Sequence, residues 1–105
     1  MGKSRSEGKV SNFEELKTFI LQERVLNRFG LQKIGVFGSF ARGESSYQDI
    51  DFFIDEVLPY KQLIALNHFL EKQLKTKIDL MEQRFAEPLI LYHALKEMKY
   101  VASES

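Results

Sequence analysis

Apolar residues recur along the chain with two different spacings, which predict helices that alternate with short strands. Over residues 12–29 they fall every three or four positions and lie near one face, as expected of a helix that covers a core. Ser11 and Glu14 have the spacing of a capping box, and Gly30 suits the left-handed position just beyond a helix end. We therefore predict a single helix over residues 12–29.

Three later segments have the pattern of strands. They cover residues 33–37, 50–54 and 77–81. Helical spacing is found over residues 59–75, and Pro88 suits the first position of a last helix, predicted over residues 89–99. With a short helical turn after the first strand, this order of elements predicts an α/β or α+β domain in which helices pack against a small sheet.

Length and charge narrow the classes of protein that fit. At 105 residues the chain is long enough for one domain with a substantial core and too short for two. Fifteen Lys and Arg residues balance fifteen Asp and Glu residues, so no overall positive field favours free-standing nucleic-acid binding. We predict that residues 1–10 and 102–105 are flexible tails and that residues 11–101 form the folded domain.

The absence of cysteine limits both the chemistry and the compartment. Without a thiol there is no disulfide, zinc ribbon or cysteine nucleophile, so any metal must bind through oxygen or histidine. No apolar run approaches the ~20 residues needed to span a bilayer, and the N-terminal segment lacks the apolar core of a signal peptide. These features predict a cytoplasmic protein that does not attach to membranes.

Gly38, Ser39 and Arg42 form a candidate phosphate site. Gly38 and Ser39 follow an apolar strand and precede a helical turn, so their amides can point outward without partners. Glycine allows close approach to the backbone, and serine adds a hydroxyl; the alternative is an ordinary turn. Arg42 lies one turn further on, where its guanidinium could hold phosphate oxygens. Its alternative is a surface ion pair with Glu44 or Glu82.

Three aspartates form a candidate metal site. Asp49 and Asp51 lie two residues apart on a predicted strand, so both carboxylates leave the same face. Two anions so close repel each other, and a hard divalent cation such as Mg²⁺ would make the arrangement favourable. Asp79, on the next predicted strand, could bind a second metal ion or take a proton from an attacking hydroxyl. The alternative for Asp49 and Asp51 is the polar face of an edge strand.

Taken together, these motifs resemble the nucleotidyltransferases of polymerase-β type. The resemblance rests on the Gly38-Ser39 pair, Arg42-Gly43, the Asp49-Ile50-Asp51 strand and Asp79, and it covers residues 12–101. The chain is most similar to the smallest branch, the minimal nucleotidyltransferases, which often accompany HEPN-domain proteins in toxin–antitoxin pairs. The resemblance implies the polymerase-β-type fold, with a small mixed sheet of about three strands flanked by helices.

The resemblance also implies a role for each of these residues. The Gly38-Ser39 pair would bind the triphosphate of the nucleotide, with Arg42 as a further phosphate ligand. Asp49 and Asp51 would hold two Mg²⁺ ions, and Asp79 would complete the catalytic metal site. Phe40 and Gln48 depart from the family pattern, since Arg and Ser are common at those positions.

The implied reaction moves AMP from ATP to a hydroxyl group. The implied acceptor is a tyrosine of a HEPN-type toxin, which the modification silences, so the chain would act as an antitoxin. One alternative is a non-catalytic antitoxin that neutralises its partner by binding it, and another is a small-molecule nucleotidyltransferase. Because so small a domain leaves an open cleft, we expect a partner chain in a hetero-oligomer or homo-oligomer to complete the site.

Overall fold

Four strands and five α-helices make up residues 10–103, the part of the chain that the computed structural model describes. In chain order the elements are α1 (Phe13–Gln22), α2 (Val25–Phe29), β1 (Lys33–Phe37), α3 (Gly38–Ala41), β2 (Asp49–Ile54), α4 (Tyr60–Leu74), β3 (Lys77–Glu82), α5 (Pro88–Glu97) and β4 (Lys99–Ala102). A 3₁₀ turn, Gln83–Phe85, joins β3 to α5. The predicted fold class is confirmed, with four strands where about three were expected. No helix within residues 10–103 is long and apolar enough to cross a bilayer.

The strands form one mixed sheet in the order β3-β2-β1-β4. β1 pairs antiparallel with both β2 and β4, whereas β2 and β3 run parallel. In this register Asp51 of β2 lies opposite Phe37 at the end of β1 and opposite Asp79 of β3. Because directly opposite residues point to the same face of a sheet, the register places Asp51 and Asp79 on one face.

One face of β2 is entirely apolar, whereas the other carries Asp49 and Asp51 before it ends in the buried Phe53. Ile50, Phe52 and Ile54 are fully buried in the same core as the leucines of α4. Strand alternation therefore turns Asp49 and Asp51 to the other face. A shift of the strand by one residue would expose the isoleucines and bury the carboxylates, so burial of the apolar face fixes where the acidic side chains point.

The sequence pattern does not predict β4. The helix predicted over residues 89–99 is wrong at its end, because α5 ends at Glu97 and Lys99 already pairs with Val36 of β1. Apolar residues in this stretch continue the spacing of α5, so local pattern alone favours a longer helix. Pairing with β1, which is distant in sequence, decides the structure instead.

Each of the two predicted tails includes residues that belong to the folded domain, Val10 at one end and Ala102 and Ser103 at the other. Residues 1–9 and 104–105 lie outside the described residues. Val10 is 2% exposed, packs in the core, and accepts a hydrogen bond from the Tyr47 hydroxyl through its carbonyl. At the other end, Ala102 belongs to β4, and the Ser103 amide donates to the Gln32 carbonyl at 3.0 Å. The folded part therefore extends one residue before and two residues beyond the range predicted.

The helix predicted over residues 12–29 is interrupted near its middle. α1 ends at Gln22 and α2 begins at Val25, with Arg24 between them in the left-handed conformation at φ 54°. Neither glycine nor proline marks this position in the sequence, which is why the break is not predicted. Gly30 caps the end of α2 with φ 73°, as expected.

The N-terminal cap of α1 is Asn12 rather than Ser11. The Asn12 side chain accepts a hydrogen bond from the Glu15 amide at 2.9 Å, and the Glu15 carboxylate accepts one from the Ser11 amide at 2.8 Å. The capping box predicted for Ser11 and Glu14 is therefore shifted by one residue. Serine and asparagine cap helices about equally well, so residue type could not separate the two registers.

We expect Asn12→Ala to lower the free energy of unfolding by about 1 kcal/mol, because it removes the cap of an orphan helix amide. Ser11→Ala is the matched control: Ser11 contributes only its backbone amide to the cap, so we expect a change below ~0.5 kcal/mol. Urea unfolding followed by circular dichroism measures both variants. A larger loss in the Ser11 variant would contradict the assignment of Asn12 as the cap.

Candidate active site

The candidate site lies on the acidic face of β2, where β1 ends and α3 begins. Gly38 forms this corner with φ 79°, a backbone conformation that favours glycine. A Cβ atom at Gly38 would lie 2.1 Å from the Oδ2 atom of Asp51. The corner thus brings the backbone directly against the Asp51 carboxylate, and no larger residue fits there unless Asp51 moves.

Asp51 lies beside two other carboxylates. Its neighbours are Asp49, two residues earlier on β2, and Asp79, directly opposite on β3 and hydrogen-bonded to it. Partial burial, and then the negative charges of Asp49 and Asp79, raise the pKa of Asp51 from 3.8 to about 6. A hydrogen bond between two carboxyl groups needs one proton, and the raised pKa favours Asp51 as the group that carries it.

The chemistry of this donor set fits a hard divalent cation. All three side chains offer carboxylate oxygens, which Mg²⁺ prefers, and a cation among them would relieve the repulsion that raises the pKa of Asp51. In this structure, however, no three Asp, Glu or His side chains within residues 10–103 are arranged closely enough to hold a metal ion. The hydrogen bond between Asp51 and Asp79 uses oxygens that a cation would take. Metal binding by Asp49, Asp51 and Asp79 stays a prediction.

The phosphate side of the site contains a carboxylate that the sequence does not predict there. Glu97, the last residue of α5, accepts a hydrogen bond from the Gly38 amide at 2.8 Å. Its two carboxylate oxygens lie 3.0 and 3.2 Å from Nη1 of Arg42. Although burial acts in the opposite direction, the Arg42 and Gly38 donors hold the pKa of Glu97 below its ordinary value. The Gly38 amide, which the sequence predicts to bind phosphate, is therefore already hydrogen-bonded to a carboxylate of the same chain.

Arg42 contacts two acidic side chains. Besides Glu97 it pairs with Glu44, with 2.9 Å between Nε and Oε2, so the ion pair with Glu44 that the sequence offers as an alternative is present. The other candidate partner, Glu82, is buried and pairs with Arg84. The guanidinium of Arg42 remains about half exposed and can be reached from solvent.

Ser39 lies half-buried in the first turn of α3. Its carbonyl accepts a hydrogen bond from the Glu44 amide at 3.1 Å, which closes the loop after α3. Phe40 is buried and packs edge-on against the Tyr47 ring, with 4.8 Å between the centroids. The apolar residue at position 40 therefore serves the core, which explains the departure from the family's arginine.

A groove beside Asp79 extends the site and is not predicted from the sequence. It has a volume of about 600 Å³ and runs along β3, between α4 and the start of α5. Its walls are formed by Phe37, Tyr60, Leu63, Ile64, Asn67, His68, Glu71, Asp79, Leu80, Met81, Glu82, Phe85 and Ile90. Because β3 is an edge strand, a second molecule can reach both the groove and Asp79. One feature of the sequence could have indicated the groove: two aromatic residues, Tyr60 at the start of α4 and Phe85 just after β3, lie exposed.

Comparisons with known proteins identify what the chain is similar to. A family model described as a nucleotidyltransferase domain matches residues 19–101. The protein adenylyltransferase MntA of Thermococcus cleftensis is 32% identical over 93 residues, which cover 84% of this chain and 94% of that protein.

Solved structures with the same fold include two toxin–antitoxin complexes. A chain of a toxin–antitoxin complex with AMP-PNP has a TM-score of 0.64 at 22% identity, covering 89% of this chain and 76% of its own. A second match comes from the complex of a tri-AMPylated HEPN toxin with its MNT antitoxin from Shewanella oneidensis. It has a TM-score of 0.60 at 20% identity and covers 88% of this chain and 74% of the matched chain.

Proposed function

Because the chain belongs to the nucleotidyltransferase domain family, and is therefore a nucleotidyltransferase, we propose that it transfers AMP from ATP to a hydroxyl group of a partner protein. In this proposal the partner is a HEPN-domain toxin, the hydroxyl belongs to a tyrosine, and the modification neutralises the toxin. The similar protein of T. cleftensis is named a protein adenylyltransferase, and the S. oneidensis complex contains an AMPylated HEPN toxin. Both support AMP as the group transferred, and the second also supports a HEPN toxin as the acceptor.

The observation that most supports the proposal is the position of the three carboxylates beside an anion-binding corner. Asp51 and Asp79 lie opposite each other on neighbouring strands, and Asp51 contacts the corner at Gly38. The side chains that we propose to bind a cation and the groups that we propose to bind phosphate therefore lie together at one end of β1. This is the charge arrangement that transfer of a nucleoside monophosphate requires.

The phosphate-binding residues hold the nucleotide from the α3 side. In the proposed complex the Gly38 amide, the Ser39 hydroxyl and the Arg42 guanidinium donate hydrogen bonds to the triphosphate. The planar guanidinium can bond two oxygens at once and therefore orients the phosphate chain as well as attracting it. These contacts fix the α-phosphorus next to the aspartates on β2.

The aspartates form the other half of the site. Asp49 and Asp51 would hold two Mg²⁺ ions, with Asp79 completing the site of one of them. When bound, Mg²⁺ neutralises charge on the phosphates and lowers the pKa of the attacking hydroxyl. The acceptor oxygen bonds to the α-phosphorus, the bond from that phosphorus to the bridging oxygen breaks, and pyrophosphate leaves. In this proposal Asp79 also accepts the hydroxyl proton, and its position at the exposed edge of the sheet supports that role.

Transfer of label from ATP tests the proposal. The protein and its copurified partner are incubated with Mg²⁺ and with ATP labelled with ³²P at either the α- or the γ-phosphate. We expect the partner to acquire label from the α-position only, because the γ-phosphate leaves with pyrophosphate. Chelation of Mg²⁺ by EDTA should prevent the labelling.

Each other result points to a different function. Label from the γ-phosphate on the partner would identify phosphoryl transfer and overturn the proposal. Label confined to a small molecule would identify a small-molecule nucleotidyltransferase. A complex that neutralises the toxin without any labelling would identify a non-catalytic antitoxin.

A further inference from the structure

We propose that Glu97 occupies the place of the nucleotide's phosphates in the free protein and must leave it before ATP can bind. Glu97 would then be an internal competitor that sets the affinity for the nucleotide. This inference rests on the proposed function, because it takes the Gly38 amide and Arg42 as the groups that bind phosphate.

Glu97 uses two of the three groups that we propose to bind phosphate, the Gly38 amide and the Arg42 guanidinium. One carboxylate oxygen accepts the Gly38 amide at 2.8 Å, and the two oxygens share Nη1 of Arg42 at 3.0 and 3.2 Å. The Nε atom of Arg42 is bonded to Glu44. Carboxylate and phosphate both present paired anionic oxygens, so they compete for the same N–H groups and cannot bind them together.

The position of Glu97 in the fold explains why its side chain can leave while the helix stays. Met98 packs so closely on β1 that a Cβ atom at Gly35 would lie 2.6 Å from its Sδ atom, and Lys99 pairs with Val36. The backbone next to Glu97 is therefore anchored. Its side chain is 29% exposed, and its carboxylate is joined to the backbone by single bonds that have alternative staggered rotamers. Release requires only rotation of this side chain into solvent.

Glu44 provides a matched comparison, because it also pairs with Arg42 and differs in one respect. The Glu44 side chain bonds to Nε of Arg42, whereas the Gly38 amide donates to Glu97. It is more exposed than Glu97, at 52% against 29%. Removal of the Glu44 charge therefore changes the field around Arg42 without vacating the position in front of Gly38.

Binding of ATP and of inorganic tripolyphosphate by the full-length chain tests the inference. Isothermal titration calorimetry at physiological salt, with Mg²⁺ present, compares wild type with Glu97→Gln and Glu44→Gln. Glutamine keeps the shape of glutamate and loses its charge, so we expect Glu97→Gln to bind both ligands about tenfold more tightly. We expect Glu44→Gln to stay within about twofold of wild type, because exposed ion pairs contribute little.

The possible failures are distinguishable. If wild type binds ATP and Glu97→Gln binds it equally or more weakly, the inference is overturned and the proposed function stands. Equal tightening in both variants would also overturn it, since the cause would then be general charge. If none of the three proteins binds ATP, the proposed function itself fails. Circular dichroism of each variant confirms that the fold is intact.

Discussion

Asp51→Asn is expected to abolish AMP transfer and, at the same time, to make the folded protein more stable above about pH 6. Transfer should fall about a thousandfold or more, because a neutral amide is a far weaker ligand for a divalent cation than a carboxylate. Asparagine has nearly the shape of aspartate, so it still fits beside Gly38 and opposite Asp79. The loss of activity should therefore come without a loss of structure.

The gain in stability follows from the direction of the pKa shift. The pKa of Asp51 rises from 3.8 to about 6 on folding, so the folded protein holds this proton more tightly than the unfolded chain does. This contribution to stability is complete below about pH 4 and is lost as the pH rises through about 6. The shift corresponds to about 3 kcal/mol, which partial exposure to water reduces to roughly 1–2 kcal/mol.

Thermal unfolding between pH 4 and pH 8 measures this effect. We expect Asp51→Asn and wild type to unfold at similar temperatures near pH 4. At pH 8 we expect the variant to have the higher melting temperature, by roughly 4–8 °C for each kcal/mol of added stability. Asp55→Asn is the control, because Asp55 lies just beyond β2 and pairs only loosely with Lys33 at 3.5 Å. A constant difference between Asp51→Asn and wild type at all pH values would contradict the assigned pKa.

Gly38→Ala is expected to lower AMP transfer by more than about 100-fold. The added Cβ atom would lie 2.1 Å from Oδ2 of Asp51, so the carboxylate must rotate out of its position. The positive φ of 79° adds a backbone cost of about 1–2 kcal/mol for any residue with a side chain. Both effects act at the corner between β1 and α3, where the phosphate and metal halves of the site meet.

Gly43→Ala separates these two effects. Gly43 has a similar backbone conformation, with φ 84°, and a Cβ atom there would meet no atom within 4 Å. We expect Gly43→Ala to lose a similar amount of backbone stability and to keep its transfer activity. Rates of label transfer and melting temperatures are measured for both variants. Together they distinguish a loss of activity caused by crowding of Asp51 from one caused by lower stability. If Gly38→Ala transferred AMP as fast as Gly43→Ala, the close approach of Gly38 to Asp51 would not be required for transfer.

Much of the fold could be predicted because its signals are local. β1, β2, β3, α4 and the cap at Gly30 each follow from a run or alternation of a few neighbouring residues. The same holds for Asp49 and Asp51, whose spacing of two places them on one face of a strand. Asp79 could be added because its apolar neighbours indicate a strand, and parallel pairing with β2 then sets it opposite Asp51.

The features that could not be predicted depend on contacts between distant parts of the chain. β4 exists because Lys99 and its neighbours pair with β1, while their own pattern continues that of α5. Glu97 reaches the site through bonds to Gly38 and Arg42. One local signal was available: an acidic residue at the C-terminal end of a helix opposes the helix dipole, which indicates that it has a partner elsewhere. The turn at Arg24 had no such signal.

The order of the strands has a consequence for how the site assembles during folding. β1, α3 and β2 are contiguous in the chain, so this unit, with Gly38, Asp49 and Asp51, forms by closing a short loop. Asp79 and Glu97 join it only when β3 and the α5–β4 segment dock, which requires longer loops to close. Local opening of either outer strand would therefore dismantle the site while its central unit stays folded.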